Sequence, residues 1–575
     1  MNDGSWGNAF FKEGRHPPKV IILISFLILG SIPFFPALTG YFYTDDFVLL
    51  CISRYVGNPL LFFIQDHFPG SFFYRPFGMS IWWLSYQLFG LNSTLHNLLN
   101  LSLHLLNTFV FYLMLVELLG RRYRVIIYLS SLLFLYHPIS ISTTLWLSDR
   151  FDLLATLFIL LATYFFLRFL SDHHRRYFIY SLFSALLGMW SKETAYVLPL
   201  ILTSVCLTPG GSDLKEGGSK KVILLMPYYL LGIFLYLLRF LLLRGTETYF
   251  YQTGILQTLW KGFFNWIHFF VESFSYHYSF LESGYLLKYG LIGWFFLFMA
   301  LLLLSIKRRL AIPWRVFLLG LTMLWMPVFL SAPVMSLSTF LSPGQEFSFF
   351  LLAQGRFYYL SLIGVLFILT SSFFLPFQLF KRQGLPRLYS TLIMFVLISI
   401  SLFYLFSSFS LSRKYRDFTE THVRPFVELA TRTISPSVGK GFKIYFLNTS
   451  KSPHGFREFG DAMLKATTPK DSNIIHCLIF TEKPPWYNFV LKEDIPAMRI
   501  SPLQNMIFRK REFPPLRVGE VAYYYFIFPD AERIAKDERA LFFEYVPEEK
   551  RFRNVTEKVK SGMMKPQFFN DRPEA

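Results

Sequence analysis

Long apolar runs recur between Val20 and Phe409. Many of these runs hold about 18–24 residues, which is the length that an α-helix needs to cross a bilayer. The pattern predicts a mainly α protein, a polytopic membrane helix bundle that crosses the membrane about eleven times. The predicted spans lie near residues 18–38, 95–119, 124–138, 151–170, 177–190, 194–208, 222–243, 286–306, 314–331, 356–380 and 388–410.

Basic residues in the connecting loops indicate how the bundle is oriented. Every second loop holds a cluster of Lys and Arg, and the loops between them are long and poor in both. Since Lys and Arg collect in cytoplasmic loops, the N-terminus is predicted to be cytoplasmic and the C-terminus extracytoplasmic. Two amphipathic stretches, Phe47–Ile64 and Leu256–Phe280, are predicted to be interfacial helices rather than spans.

The composition agrees with a membrane protein and excludes several other classes. The chain is 53% hydrophobic and only 16% charged, whereas about 25% is usual for soluble domains. The net charge of +19 is explained by cytoplasmic loops, and we expect no nucleic-acid partner. The three cysteines match no metal-binding spacing and imply no disulfide framework.

The composition changes after Phe409, where Lys, Arg, Glu and Pro become frequent. Short β-type runs occur at Lys443–Leu447, Ile474–Phe480 and Val521–Phe528. We therefore predict two domains, a multi-spanning domain at residues 1–411 and an extracytoplasmic α/β domain at residues 412–575. The second contains no recognisable catalytic motif, and we expect it to help recognise or position an acceptor.

Two adjacent carboxylates, Asp45 and Asp46, follow the first predicted span directly. Such a pair is costly to desolvate and its charges repel, so it persists more readily beside water, a cation or a reacting proton. A general base is one interpretation, a divalent metal cation bound by Asp45 and Asp46 is another, and an ordinary solvated loop start is the third. No cofactor is certain.

Polar residues recur on one face of the second predicted span, at His96, Asn100 and His104, and His137 ends the third. Spacings of four place the first three on one helix face. Two histidines four residues apart can bind a metal, but these are eight apart. Hydrogen bonding to neighbouring helices is the more common role of such residues.

Further charged residues are predicted at the outer ends of spans. Asp149, Arg150 and Asp152 open one span, Lys192 and Glu193 separate two others, and Arg75 and Arg356 precede apolar segments. Arginine binds phosphate through two parallel hydrogen bonds. The basic set Arg75, Arg150, Lys192 and Arg356 therefore suits an anionic lipid headgroup, although each residue taken alone could be part of a salt-bridged helix end.

Together these strings resemble the GT-C type glycosyltransferases, and among them the transmembrane O-mannosyltransferases with tetratricopeptide repeats. The resemblance runs from about Tyr43 to Pro199 and again near Arg356. It implies a dolichyl- or undecaprenyl-phosphate sugar donor, an extracytoplasmic site and an inverting transfer, with the catalytic base at Asp45 and Asp46 beside it. The repeats are absent here, and Gly355 stands where an acidic residue is expected.

The sequence therefore predicts an inverting glycosyltransferase that moves a sugar, mannose or another hexose or pentose, from a polyprenyl-phosphate carrier to an acceptor hydroxyl on a protein, glycan or lipid. A transporter and a non-catalytic scaffold on a transferase-like bundle are the alternatives. Transporters usually place charges near the bilayer midplane and show inverted repeats, and neither pattern is visible here. We expect a multi-pass protein of the bacterial inner membrane, or of the endoplasmic reticulum if the source is eukaryotic.

Overall fold

The computed structural model describes most of the predicted bundle and part of the C-terminal region. The described residues are 18–64, 73–120, 123–207, 218–243, 314–331, 356–382, 386–437, 442–447, 463–468, 476–479, 488–491, 498–500, 516–518, 521–524, 527–529 and 535–564. The chain forms two compact units, one from Met1–Leu38 and Asn97–Lys414 and one from Thr39–His96 and Tyr415–Ala575.

Helices dominate the described part of the chain, as predicted. In chain order they are α1 (Lys19–Phe34), α2 (Asp45–Tyr55), α3 (Pro76–Phe89), α4 (Ser93–Leu119), α5 (Arg124–Tyr136), α6 (Pro138–Leu145), α7 (Arg150–Asp172), α8 (Arg175–Ser191), α9 (Leu198–Cys206), α10 (Gly218–Leu243), α11 (Trp314–Ser331), α12 (Tyr359–Arg382), α13 (Pro386–Phe418), α14 (Arg424–Ile434) and α15 (Thr556–Lys560).

Several of these helices can cross a membrane. Five stretches of the described chain are long and apolar enough, namely Lys19–Thr39, Ser93–Leu119, Leu147–Asp172, Ile223–Leu242 and Thr391–Ile434. Helices α5 and α6, which meet at a bend of 52°, would form a sixth span together. The protein is thus a multi-pass membrane protein, and the count of eleven spans stays a prediction. The span near 286–306 and the stretch Leu256–Phe280 lie outside the described residues.

Small residues allow two helices of the first compact unit to approach closely. A Cβ atom at Gly364 of α12 would lie 2.4 Å from the backbone nitrogen of Leu324 and 2.5 Å from the carbonyl oxygen of Gly320, both in α11. Small residues at helix contacts are common in membranes, where close backbone packing drives association. Glycine at position 364 therefore sets the separation of α11 and α12.

The second compact unit joins the segment after the first span to the C-terminal region. Within it, α3 begins with Pro76 and ends at Phe89, and it is followed by Gly90, whose φ of 53° suits glycine. Residues 46–54 of α2 are buried in protein. The stretch Phe47–Ile64 is helical, as α2 and the 3₁₀ helix Pro59–Phe63, and its position at a membrane interface stays a prediction.

The described part of the C-terminal region contains three small sheets. The strands are β1 (Lys443–Leu447), β2 (His476–Ile479), β3 (Asn488–Leu491), β4 (Met498–Ile500), β5 (Leu516–Val518), β6 (Val521–Tyr524), β7 (Ile527–Pro529), β8 (Ala540–Val546) and β9 (Arg551–Asn554). The largest sheet has the order β2-β1-β8-β9, with β1 parallel to both neighbours and β9 antiparallel to β8. Antiparallel pairing joins β3-β6-β5 and β4-β7.

The largest sheet has its own apolar core. Strand β1 is buried along its whole length and pairs Lys443 with both His476 and Ala540. Tyr445 of β1 stacks on Phe542 of β8 with ring centroids 5.2 Å apart. Strands were predicted at 443–447, 474–480 and 521–528, and β1, β2, β6 and β7 lie there. The second compact unit also includes residues 39–96, which the sequence-based division placed with the spans.

Candidate active site

Asp45 and Asp46 form the first turn of α2 in the second compact unit. Carboxylates in the first turn of a helix are stabilised by the helix dipole. The buried Asp46 accepts a hydrogen bond from the backbone nitrogen of Tyr43 at 2.9 Å through Oδ2. Asp45 is half-buried. Asp46 therefore holds the turn closed, while Asp45 is the more accessible carboxylate.

Thr44, directly before the acidic pair, has a strained backbone. Its φ is 42° and its ψ is −112°, although it is a β-branched residue and the N-cap of α2. Positive φ at such a residue is unusual, costs on the order of 1–3 kcal/mol and occurs preferentially at functional sites. No local sequence signal reveals this strain, because threonine is an ordinary N-cap residue.

Arg75 and His96 lie in the same compact unit as the acidic pair. Arg75 precedes α3 and lies over the ring of Phe73, with its guanidinium carbon 4.5 Å from the ring centroid. The fully buried His96 has Nε2 3.0 Å from the carbonyl oxygen of Gly90, and its ring stacks on Trp82. His96 therefore ties the end of α3 to the start of α4.

A row of polar side chains runs along α4 within the first compact unit. Asn100 donates to the carbonyl oxygen of Thr144 at 3.2 Å. The fully buried His104 lies between the Tyr359 hydroxyl, 2.7 Å from Nδ1, and the Leu135 carbonyl oxygen, 3.1 Å from Nε2. These are the helix-to-helix hydrogen bonds expected of polar residues in a bundle.

Sequence analysis missed one member of this row. Asn107 donates to the carbonyl oxygen of Leu153 at 3.0 Å and to the Tyr359 hydroxyl at 3.2 Å. The signal that could have found it is its spacing, since it lies three residues after His104 on the same helix.

Charged residues predicted at separate helix ends meet in the first compact unit. The Lys192 ammonium lies 2.5 Å from Oδ2 of Asp152. Arg356 Nη1 lies 3.5 Å from Oδ1 of Asp149. Arg150, the residue between these two aspartates, is fully buried and donates through Nε to Asn100 Oδ1 at 2.8 Å. We call Asp149, Arg150, Asp152, Lys192 and Arg356 the charged cluster.

The charged cluster has an excess of positive charge. Three cations stand against two carboxylates, which leaves one formal unit of positive charge. Asp149 and Arg150 are fully buried, and the side chain of Arg356 is 26% exposed. Buried cations are costly, and a negative group close to them would offset part of that cost, so this arrangement favours binding of an anion.

Arg356 is held by an aromatic ring as well as by Asp149. Its guanidinium carbon lies 4.6 Å from the ring centroid of Trp146. Arg356 opens the 3₁₀ helix Arg356–Tyr358 before α12, and Trp146 precedes the turn that carries Asp149. A planar guanidinium stacked in this way keeps its edge oriented for a second partner.

His137 and Glu193 have local structural roles. His137 stands at the break between α5 and α6, where its Nδ1 accepts from the backbone nitrogen of Ile139 at 3.2 Å. Its ring packs against Tyr404, with centroids 4.8 Å apart. Glu193 opens the 3₁₀ helix Glu193–Val197 and is half-buried.

A metal site is not evident from side chains alone. The described residues contain no group of three or more His, Cys, Asp and Glu side chains that could hold a metal ion. A cation at Asp45 and Asp46 would therefore draw further ligands from the donor, the acceptor or water, and it stays a prediction.

Comparison with known proteins gives a family match and several structural neighbours, including two structures of ArnT. The profile of the family described as "Dolichyl-phosphate-mannose-protein mannosyltransferase" matches residues 75–238. The chain is 11% identical to ArnT from Cupriavidus metallidurans bound to undecaprenyl phosphate, with a TM-score of 0.44. It is 12% identical to the apo form of ArnT, with a TM-score of 0.33.

Each of the two structural alignments covers 88% of this chain and 97% of the other. No curated protein matches the sequence. The family match includes Arg75, Asp149, Arg150, Asp152 and Lys192, while Asp45, Asp46 and Arg356 lie outside it. The match confirms that residues 75–238 resemble GT-C type mannosyltransferases that use a polyprenyl-phosphate donor.

Proposed function

We propose that this protein is a membrane glycosyltransferase that takes a sugar from a polyprenyl-phosphate carrier and transfers it to an acceptor hydroxyl with inversion. One observation carries the proposal. The segment that matches the mannosyltransferase family supplies four of the five members of the charged cluster, all but Arg356. The family's donor bears a phosphate, and the cluster brings three cations together with two carboxylates.

The charged cluster is the proposed donor phosphate site. Arg150, Lys192 and Arg356 carry the charges that would hold the phosphate in the ground state. As the bond to the sugar breaks, negative charge grows on the leaving phosphate, and fixed positive groups stabilise that charge. Asp149 and Asp152 orient two of these cations through the ion pairs described above. Arg75 stays a further candidate phosphate ligand.

Asp45 is the proposed general base. A base must accept the proton of the acceptor hydroxyl as its oxygen attacks the anomeric carbon. Attack on the face opposite the leaving phosphate inverts the configuration. Asp46 is already engaged with the backbone of Tyr43, so its proposed role is to hold the turn and tune its neighbour. A divalent cation, if bound here, would supply additional stabilisation of phosphate charge.

Orientation and acceptor are also proposals. The Lys and Arg distribution supports an N-terminus in the cytoplasm and transfer at the extracytoplasmic face, in a bacterial inner membrane or the endoplasmic reticulum. The acceptor is a hydroxyl of a protein, glycan or lipid. The C-terminal region, which is extracytoplasmic in this orientation, is the proposed acceptor-binding part.

A transfer assay with purified protein tests the proposal. The protein in lipid nanodiscs is given radiolabelled sugar on undecaprenyl or dolichyl phosphate, and in parallel the same sugars as nucleotide conjugates. We expect label to move from the lipid-linked donors only. Transfer from nucleotide sugars but not from lipid donors would overturn the donor assignment. Energy-dependent uptake of labelled substrate into vesicles without any transfer would favour a transporter.

A further inference from the structure

The C-terminal end of α2, the helix that begins with Asp45 and Asp46, is attached to the C-terminal region by one arginine. Arg54 lies in the last turn of α2 and is only 6% exposed. Its Nη1 lies 2.7 Å from the carbonyl oxygen of Lys465, 3.0 Å from that of Ala466 and 2.5 Å from that of Thr468. One buried cation thus contacts three carbonyl oxygens in a four-residue stretch of chain.

The stretch that supplies these three carbonyl oxygens is the end of a helical turn. The backbone nitrogen and hydroxyl of Thr468 both donate to the carbonyl oxygen of Leu464, at 3.0 and 2.8 Å. Carbonyls at a helix end have no intrahelical partner, and the end carries partial negative charge. In the part of the chain that the structure describes, Arg54 has no carboxylate partner. Its positive charge is stabilised by the partial negative charges of these carbonyl oxygens, so the contact links α2 specifically to residues 465–468.

The near end of the same helix is also attached to the C-terminal region. The backbone nitrogen of Tyr41 donates to Thr419 Oγ1 at 3.1 Å, and the Tyr415 hydroxyl donates to the carbonyl oxygen of Tyr41 at 3.4 Å. Tyr43 and Phe418 pack edge to face, with centroids 5.5 Å apart. Thr419 opens the π-helix Thr419–Val423, a local widening that is frequent at functional sites.

We infer that Arg54 is a positioning residue for the acidic pair, and that the C-terminal region is part of the catalytic framework as well as a candidate acceptor module. The inference rests on the proposed function of Asp45. The strained Thr44 supports it, because strain at one end of a helix persists only when surrounding contacts fix the segment. In this arrangement Tyr415, Phe418 and Thr419 hold the chain before Asp45, and Arg54 fixes the helix after it.

The experiment compares three variants of the full-length protein in nanodiscs. Arg54→Ala removes the contact, and Arg54→Lys keeps the charge but replaces the planar fork by a single ammonium. Arg432→Ala is the matched control, since it removes a guanidinium of the same compact unit whose side chain is 81% exposed. The readouts are hydrogen exchange of the α2 amides, affinity for undecaprenyl phosphate, and kcat per monodisperse molecule at saturating donor.

We expect Arg54→Ala to speed exchange of the α2 amides and to lower kcat by about tenfold to a hundredfold, because misplacing a reacting group by about 1 Å costs on that order. Donor affinity should stay within about twofold, which corresponds to only ~0.4 kcal/mol. Arg54→Lys should recover part of kcat, and Arg432→Ala should match the wild type.

Unchanged exchange and unchanged kcat in Arg54→Ala would overturn the inference and leave the proposed function intact. A loss of kcat that is fully matched by loss of donor affinity would also overturn it, since that is a general structural defect. If Arg54→Ala gives no monodisperse protein, Arg54→Lys decides by the same criteria. If the wild type transfers no sugar from any lipid donor, the proposed function fails. The attachment of α2 by Arg54 is then tested by hydrogen exchange alone, and α2 amides that exchange in Arg54→Ala as slowly as in the wild type would overturn it.

Discussion

Because the charged cluster carries a net formal charge of one, two substitutions in it should have opposite effects on the binding of undecaprenyl phosphate. Asp149→Asn keeps the shape of the side chain and an oxygen that can accept from Arg356, and it removes one negative charge, which raises the formal charge of the cluster from one to two. Arg356→Gln removes a positive charge and lowers it to zero. If the cluster binds the donor phosphate, Asp149→Asn should strengthen binding of undecaprenyl phosphate and Arg356→Gln should weaken it.

The structure sets the size of this effect. Arg356 Nη1 and Asp149 Oδ1 are 3.5 Å apart, and the second carboxylate oxygen has no hydrogen-bond partner among the described residues. At an effective dielectric constant of about 20, charges at this distance attract by roughly 5 kcal/mol before desolvation. Arg356 is partly exposed, and such pairs retain about 1 kcal/mol after solvent screening. We therefore expect each variant to shift the dissociation constant by about fivefold.

Direct binding in nanodiscs is the appropriate assay, because it separates affinity from chemistry. Undecaprenyl phosphate is titrated at two salt concentrations, and the higher should reduce both shifts. Asp172→Asn is the matched control, since Asp172 pairs with Arg168 at the other end of α7 and has no proposed donor role. Shifts of the same sign in Asp149→Asn and Arg356→Gln, or no shift in either, would refute a phosphate site governed by the charge of this cluster.

Two further predictions concern packing and topology. Gly364→Ala should lower the stability of the bundle by about 1–3 kcal/mol, because its methyl group would meet backbone atoms of α11. Gly232→Ala is the control and should unfold like the wild type, since the nearest atom to its methyl group would be 3.7 Å away. Equal thermal midpoints for the two variants would contradict the close packing of α11 and α12. A reporter that works only outside the cytoplasm should be active after Phe409 and inactive at Gly211, and the same response at both sites would exclude the predicted orientation.

The membrane helices were the most predictable part of the structure. A bilayer demands about twenty apolar residues for each crossing, so the signal is local and strong. The runs that predicted spans near 95–119 and 151–170 correspond to α4 and α7. The strand at Lys443–Leu447 was found for a similar reason, because it is buried along its length and reads as a short apolar run.

The candidate site was predictable in its residue types but not in its pairings. Sequence analysis selected Asp149, Arg150, Asp152, Lys192 and Arg356 because charge is costly at membrane depth. It could not pair Arg356 with Asp149, since 207 residues separate them. Nor does any local pattern pair Lys192 with Asp152, which lies on a different helix.

The contacts of the segment around the acidic pair could not be predicted, because its partners lie far away in the sequence. Arg54 and the Gly57-Asn58-Pro59 break suggested a surface helix beside the membrane. The structure instead buries Arg54 against carbonyl groups that are 411 to 414 residues away. A buried arginine can be predicted only when its hydrogen-bond acceptors are known. Backbone carbonyl groups cannot be identified as such acceptors from the sequence, because every residue has one.

The most direct test of the central claim is sugar transfer by Asp45→Asn. An amide has nearly the shape of the carboxylate but cannot take up the acceptor's proton at neutral pH. Asp417→Asn, at a half-buried aspartate of the same compact unit, is the matched control. Transfer of labelled sugar from undecaprenyl phosphate should be lost in Asp45→Asn while donor affinity and monodispersity are kept, and Asp45→Glu should retain about a hundredth of the rate. A wild-type rate in Asp45→Asn would contradict the assignment of Asp45 as the catalytic base.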